Sequence, residues 1–212
     1  MRPAKTTPEA RSRLTRWFVP VAVPQKKGDP VLFARDEGIR ADATAASMAA
    51  LKPLMKDGEV TAGNSSQQND AAAACLVVAE DKLKQFDLTP SGFLVGWAAA
   101  GCHPATMGLG PVPAVKRLFA KTGLSWNDIG LVELNEAFAC QVLGVLKGWD
   151  WDDRSKLNVN GSGISLGHPI GATGGRILAN LLRELHRRNG RFGLETMCIG
   201  GGQGIAAVFE RA

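Results

Sequence analysis

From Thr173 to Arg188 the apolar residues fall at helical spacing, with Ile177, Leu181 and Leu185 on one line, Leu178 and Leu182 beside it, and Arg183, Arg187 and Arg188 outward or at the end. This predicts an amphipathic helix covering a sheet. Apolar runs supply the sheet: Phe93 to Ala100, Ile129 to Leu134, Leu157 to Asn160, Phe192 to Ile199 and Ile205 to Phe209. The last two are joined by GGGQG, Gly200 to Gly204, and so much glycine predicts a close backbone approach to something else. A helix is expected from near Pro113 to Gly123, followed by a capping signal in SWND, and another after Asn135 through Val142 and Val145 towards Gly148. Trp149 to Asp153 reads as an exposed loop. Strands alternating with helices from Ile129 to Phe209 predict an α/β fold with helices packed on a sheet.

Before Phe93 the pattern is weaker. Trp17 to Val31 reads as edge strands around a hairpin with a charged KKGD turn. Ala43 to Leu51 has helical spacing, with Thr44 or Asp42 able to cap it and Pro53 stopping it. Val60 to Glu80 changes character twice: a small-residue polar loop, an alanine-rich stretch with Asn69 or Asp70 as N-cap, then an apolar run. The GNSS loop reads either as an ordinary capped turn or as a donor-rich cradle for an extended polar ligand.

With 212 residues, 45% of them hydrophobic, the chain can bury a real core. Its 25 Lys and Arg against 20 Asp and Glu leave +5, but the basic residues are scattered, which gives a solvated surface and no nucleic-acid site. Cys75, Cys102, Cys140 and Cys198 have no CxxC spacing, so neither a disulfide framework nor a metal site is predicted, and a reducing, cytoplasmic setting fits. No apolar run approaches the ~20 residues of a membrane span. MRPAKTTPEARSR lacks the apolar centre of a secretory signal and reads as a frayed terminus.

The candidate chemistry gathers around LNVNGSGISLGHPIGAT, Leu157 to Thr173. His168 sits between Gly167 and Pro169, at a tight bend with Pro169 suited to the first helical position. Asn135, His168 and the pair Cys198 and Gly200 are each expected at the carboxyl end of a strand, where ligands gather in α/β sheets. Asn135 alone reads equally well as an N-cap, and a lone histidine in a turn as structural; the convergence favours catalysis. By residue chemistry this is a Cys-His-Asn hydrolase or acyltransferase, with His168 a base near neutral pH, Cys198 its thiol partner, and the amides of Gly200 and Gly201 an oxyanion hole. Cys102 beside His103, with no further ligand nearby, reads as a surface loop.

Five runs resemble the C-terminal half of the thiolases, the acetyl-CoA acyltransferase family: VTAGNSSQQND, MGLGPVPA, NEAFA, NVNGSGISLGHPIGATGGRIL and CIGGGQG, in the family's order from Val60 to Gly204. Weaker similarity in VPVAVPQKKGDPV and RADATAASMAALKP extends the resemblance nearly to the N-terminus. It implies a thiolase-like layered α/β fold: the end of the loop domain over residues 1–59, a segment completing the N-terminal half over 60–90, and the C-terminal domain, a sheet with covering helices, over 91–212. It also implies that Asn135 holds a water and forms one oxyanion hole with His168, that His168 activates the nucleophile, that Cys198 exchanges the proton at the acetyl α-carbon, and that the amide of Gly200 serves a second oxyanion hole. Ser65, Ser66, Ala137 and Phe138 match positions lining the pantetheine tunnel of coenzyme A, a cosubstrate and not a resident cofactor.

The acylated nucleophile of thiolases is another cysteine, carried in their N-terminal half, and none of Cys75, Cys102 and Cys140 has its small-residue surroundings. The expectation is therefore one subunit of a split thiolase in a hetero-oligomer, with the nucleophile on a separate N-terminal chain, an unpaired sheet edge over Val60 to Glu80, and poor stability alone. A non-catalytic scaffold of the same fold, and a self-contained acyl hydrolase using Cys198, are the rival readings. Two departures stand out: Ala71 replaces a glycine frequent after the ND of the first motif, and the loop domain that grips the CoA nucleotide is represented only by its end.

Overall fold

A computed structural model describes residues 19–40 and 42–212. The terminus MRPAKTTPEARSR and Trp17 lie outside the described residues. The first elements are a small antiparallel hairpin, β1 (Val21–Val23) and β2 (Val31–Phe33), and a five-residue helix, α1 (Ala45–Ala49). Thr44 caps α1: its hydroxyl accepts from the Ser47 amide at 3.0 Å while the Ser47 hydroxyl accepts from the Thr44 amide at 2.9 Å, a reciprocal box that satisfies two otherwise orphaned donors.

Residues 66–79 form no helix or strand, so the helix expected after Asn69 or Asp70 is absent. The physical reason is visible in the side chains. Leu76 and Val77 are 77% and 86% exposed, and a short alanine-rich helix with no surface to pack on does not offset the cost of its own nucleation.

The rest is a four-stranded mixed sheet in the order β3-β6-β5-β4, where β3 is Gly92–Gly101, β4 Ile129–Leu134, β5 Phe192–Ile199 and β6 Gln203–Arg211. β4 and β5 are parallel, joined by a helical crossover; the other pairs are antiparallel. Helices α2 (Pro111–Thr122) and α3 (Ala139–Trp149) cover one face, where Val132, Leu134, Leu194, Ala206 and Val208 meet Val115, Leu118, Val142 and Val145. The alternation of strand side chains sends Leu131 to the opposite face, against Leu181 and Leu185 of α5 (Thr173–Arg188). The apolar line read from the sequence is thus the line that is buried.

Three local expectations are corrected. Leu157 to Asn160 is not a strand: Leu157 makes one parallel bridge to Val132, and the chain then turns at Asn158, whose φ is +44°. Trp149 is not in an exposed loop; it is 9% exposed and packs with Trp126, which stacks on Trp151 at 4.7 Å between ring centroids. Pro169 is not the first residue of α5. Its carbonyl instead accepts from the amides of Ala172 and Thr173, one turn ahead of the helix, and a four-residue helix, α4 (Gly163–Leu166), precedes the bend.

The close approach implied by GGGQG is made to the start of α2. A Cβ on Gly204 would collide with the carbonyl of Gly110, and one on Gly202 with that of Cys102. Both outer edges of the sheet carry further hydrogen bonds. Along β3, Arg117 donates to the carbonyl of Ala99 and Lys121 to that of Trp97, at 3.2 and 3.3 Å. Along β4, the amide of Val132 donates to Lys156 and its carbonyl accepts from Asn158.

Candidate active site

Asn135 continues β4 by one hydrogen bond, its amide donating to the carbonyl of Thr196 at 3.0 Å, and it is fully buried. Asn158 holds this strand end from the other side. Its side chain accepts from the amide of Leu134 and donates to the carbonyl of Leu134, both at 2.8 Å, acting as one residue of a further strand, and also donates to Glu136 at 3.0 Å. The Ser162 hydroxyl adds a third tie, to the same carbonyl. Gly163 lets α4 approach, since a Cβ there would meet the Glu136 carbonyl at 2.5 Å and the Asn135 Oδ1 at 3.1 Å.

His168 follows α4 after Gly167, whose φ of +93° is a glycine conformation. The 60s segment pins the loop: the His168 amide donates to the Gln67 carbonyl at 3.0 Å and to the Asn69 side chain at 3.2 Å. The imidazole bridges two elements. Nε2 lies 3.3 Å from Asn135 Nδ2 and Nδ1 lies 2.7 Å from Thr173 Oγ1. The Thr173 hydroxyl donates to the Pro169 carbonyl at 2.9 Å, so it accepts from the ring, and Nδ1 carries the proton. An amide nitrogen can only donate, so Nε2 presents its lone pair. Burial, and after it the Arg176 cation, push the imidazole below its ordinary pKa, which favours an unprotonated Nε2 that accepts from the Asn135 amide.

Cys198 lies one residue inside the end of β5, and Gly200 follows in the turn; His168 follows a helix. Of the three groups expected at strand ends, Asn135 and the pair Cys198 and Gly200 are so placed, and His168 is not. A Cβ on Gly200 would meet nothing within 4 Å, so its backbone faces open space. Burial pushes the Cys198 thiol up, and Cys102 across the glycine turn adds to that. Cys198 is a strong base once deprotonated and holds its proton until then. Among the described residues, no cysteine hydrogen-bonds the His168 ring, and no group of three His, Cys, Asp or Glu could hold a metal ion. No described helix is long and apolar enough to cross a membrane.

Ser65, Ser66, Ala137 and Phe138 come together as one short antiparallel bridge. Ser65 pairs with Phe138, the Ser66 amide donates to the Ala137 carbonyl at 2.9 Å, and the Ala139 amide donates to that of Asn64 at 2.9 Å. Phe138 caps α3 in sequence but makes no side-chain cap bond, and Asn135, turned towards His168, does not cap it either.

Residues 88–211 match the family model described as thiolase, C-terminal domain, and residues 5–81 match thiolase, N-terminal domain. This chain belongs to the thiolase family. An acetyl-CoA acetyltransferase of Chromobacterium violaceum is 52% identical over 195 residues, covering 92% of this thiolase chain and 50% of the relative. A beta-ketothiolase of Cupriavidus necator is 50% identical over 196 residues, 49% of its own length. The crystal structure of Bacillus anthracis acetyl-CoA acetyltransferase superposes with a TM-score of 0.89 at 44% identity, covering 96% of this chain and 52% of that one. That of human mitochondrial 3-ketoacyl-CoA thiolase in complex with CoA gives 0.78 at 44% identity, over 85% and 46%. The chain spans about half the length of the curated relatives it matches.

Sequence reasoning missed Thr173, Asn158, Arg176 and Glu133. Arg176, Asn180 and Glu184 stand four residues apart beside the apolar line of α5, a polar stripe readable at helical spacing. Asn158 and Thr173 carried no such signal, because both act through one bond to a residue distant in sequence or around a bend.

Proposed function

We propose that these residues are the proton-handling part of an acyl-CoA C-acyltransferase site, which cleaves a 3-oxoacyl-CoA with CoA or runs the reverse condensation. The observation that carries this reading is the hydrogen-bond chain Asn135–His168–Thr173, which leaves a neutral imidazole with its lone pair at Nε2. A nucleophilic thiol replaces the Asn135 amide at Nε2 of His168 and gives up its proton there, and the protonated Nε2 then donates towards the oxyanion, together with a water held by Asn135. Asn135 Oδ1 is buried and has no hydrogen-bond partner among the described residues, which suits that task. The thiolate adds to the 3-carbonyl and the C2–C3 bond breaks. Cys198 gives its proton to C2, releasing acetyl-CoA. CoA then passes its thiol proton to the Cys198 thiolate and attacks the acyl-enzyme, giving the shortened acyl-CoA and releasing the nucleophilic thiolate, which recovers its proton from His168. The Gly200 amide, in the β5–β6 turn beside open space, serves the second oxyanion, and the bridge of Ser65 and Ser66 with Ala137 and Phe138 lies along the pantetheine arm.

The nucleophilic cysteine, in this reading, belongs to a thiolase N-terminal half borne on a separate polypeptide of a cytoplasmic hetero-oligomer, with residues 1–59 the end of the loop domain, 60–90 completing that half and 91–212 the C-terminal domain. Supporting it, Cys75 and Cys140 are exposed, and among the described residues the His168 ring nitrogens bond Asn135 and Thr173 and no cysteine. The exposed Leu76 and Val77 are the surface such a half would cover. Co-expression with a thiolase N-terminal half tests it. A complex should form, thiolysis should appear, mass spectrometry should place the acyl group on the partner's cysteine, and His168→Ala should lower turnover by ~10²–10⁴-fold. A well-folded monomer that binds no N-terminal half, acyl transfer to Cys198, or unchanged turnover in His168→Ala would overturn it.

A further inference from the structure

One stretch outside the C-terminal sheet touches both carriers of the proposed chemistry. Residues 64–69 form no helix and make a single isolated bridge, between Ser65 and Phe138. At one end of the stretch the Asn64 carbonyl accepts from the Ala139 amide and the Ser66 amide donates to the Ala137 carbonyl, both at 2.9 Å, four and two residues after Asn135. At its other end lie both acceptors of the His168 amide among the described residues: the Gln67 carbonyl at 3.0 Å and the side-chain Oδ1 of Asn69 at 3.2 Å. The side chains of Asn135 and His168 meet at 3.3 Å, and one short piece of chain, ending 99 residues before His168, staples their two backbones together.

The fold makes room for this contact. A Cβ on Gly167 would collide with the Asn69 carboxamide, and one on Gly175 would come within 2.7 Å of the Ala73 Cβ. Gly175 lies in the first turn of α5, where glycine disfavours the helix and its φ is not positive; what its missing side chain permits is the approach of Ala73. The stretch has few other ties. Gln67 Nε2 donates to the Gly38 carbonyl at 3.1 Å, and beyond Ala73 the chain runs out through the exposed Leu76 and Val77. We propose that Asn69 is a positioning residue for His168: its Oδ1 fixes the amide of the bend, and the bend fixes where the imidazole points. This rests on the reading of His168 as the base and extends it to what holds that base in place.

The bend has little else to restrain it. Gly167 precedes His168 with a φ of +93° and no side chain, so the peptide between them turns easily once its amide is free. The 2.7 Å bond between Nδ1 and Thr173 Oγ1, which selects the proton on Nδ1, needs the backbone of residue 168 at a fixed distance from α5. Without Asn69 the Gln67 carbonyl still accepts from the amide, so the bend loosens and does not come apart. The ring then leaves Thr173 part of the time, and either nitrogen can carry the proton. Asn69 is itself exposed, so the core does not depend on it.

The test uses Asn69→Ala, which removes the acceptor, and Asn69→Asp, which keeps an oxygen in the same place. In the full chain alone, nitrogen-15 NMR of the His168 ring should show a single Nδ1–H tautomer in the native protein and in Asn69→Asp, and a mixture of both tautomers in Asn69→Ala. In the complex with a thiolase N-terminal half, at a pH where the rate no longer changes, Asn69→Ala should lower kcat by ~10-fold with KM unchanged, and Asn69→Asp should restore it. That loss is short of the ~10²-fold that a misplacement of about 1 Å costs. Equal exchange protection of the β5 and β6 amides in all three proteins checks that each is folded. An Asn69 that only tied down the stretch would raise KM through the pantetheine bridge and leave the tautomer as it was. That outcome, an unchanged kcat, or a loss that Asn69→Asp does not restore would overturn the proposal. The ring spectrum needs no partner: absence of thiolysis in the complex would sink the enzymatic reading and leave the ring to decide on Asn69.

Discussion

Two stretches of similar apolar content fold very differently. From Gly92 onward, strands and helices bury their periodic residues, and Leu118, Leu134, Ile177, Leu181 and Leu194 are all fully enclosed. From Val19 to Val78, Leu32, Leu54, Met55, Leu76 and Val77 are exposed, and regular structure is confined to one three-residue hairpin and one five-residue helix. Hydrophobicity alone does not make a core. The C-terminal part has most of its periodic apolar residues facing partners, with Leu94, Trp97 and Ile170 among the exceptions, whereas the earlier part presents its apolar residues to surfaces it does not contain. Yet the site depends on both, because Gln67 and Asn69 hold the His168 loop and Asn64 to Ser66 pair with Ala137 to Ala139.

Hydrogen exchange should show the contrast at its largest. Amides of β5 and β6 should be protected over those of residues 66–79 by about 10³-fold or more, a difference of ~4 kcal/mol in opening free energy. Equal protection would mean that the two parts open as one unit. Next, Leu181→Ala should cost ~2–5 kcal/mol in denaturant unfolding, while Leu76→Ala should stay within ~0.5 kcal/mol. If an added thiolase N-terminal half makes Leu76→Ala costly, the difference between the parts is one of missing partner surface. A pH series probes the charged interior that only the C-terminal part has. Glu133 and Glu195 titrate near 8 when folded against 4.5 unfolded, so the folded chain binds more protons between those values, and their stabilising contribution, full below 4.5, is lost as pH rises to 8. Glu184 acts in reverse. Burial raises it, but the hydrogen bonds from Arg187, Asn160 and Arg188 outweigh that and bring it down to about 2, so its contribution is present above 4.5 and lost towards 2. The urea midpoint should therefore fall from pH 5 to 8, with a slope of up to ~1.4 kcal/mol per unit for each carboxyl, and Glu133→Gln should flatten it. The smallest effect belongs to the earlier part: Thr44→Ala should weaken α1 by ~1 kcal/mol, read as faster exchange at Met48, and leave global unfolding unchanged.

The C-terminal fold was legible because its signals are local and periodic. Ile129–Leu134 and Phe192–Ile199 are strands with the bounds the sequence predicts, and the line Ile177, Leu181, Leu185 is the buried line of α5. The alanine-rich stretch misled because helix propensity needs a packing surface to become a helix. Leu157 to Asn160 misled because its apolar and polar alternation is satisfied by one bridge and a side chain that imitates a strand. At the site, His168, Asn135 and Cys198 stood out by residue type. Thr173 and Arg176 did not, because what they do follows from which side of α5 meets the sheet, and a polar stripe within an amphipathic helix resembles its solvent side until that packing is known.

The hydrogen-bonded rims of the sheet bear on how copies of this chain can associate. A strand from another molecule reaching β3 must displace Arg117 and Lys121 from the carbonyls of Ala99 and Trp97, and one reaching β4 must evict the turn through Lys156 and Asn158. Strand addition is therefore obstructed at the β4 end and only partly guarded at the β3 end.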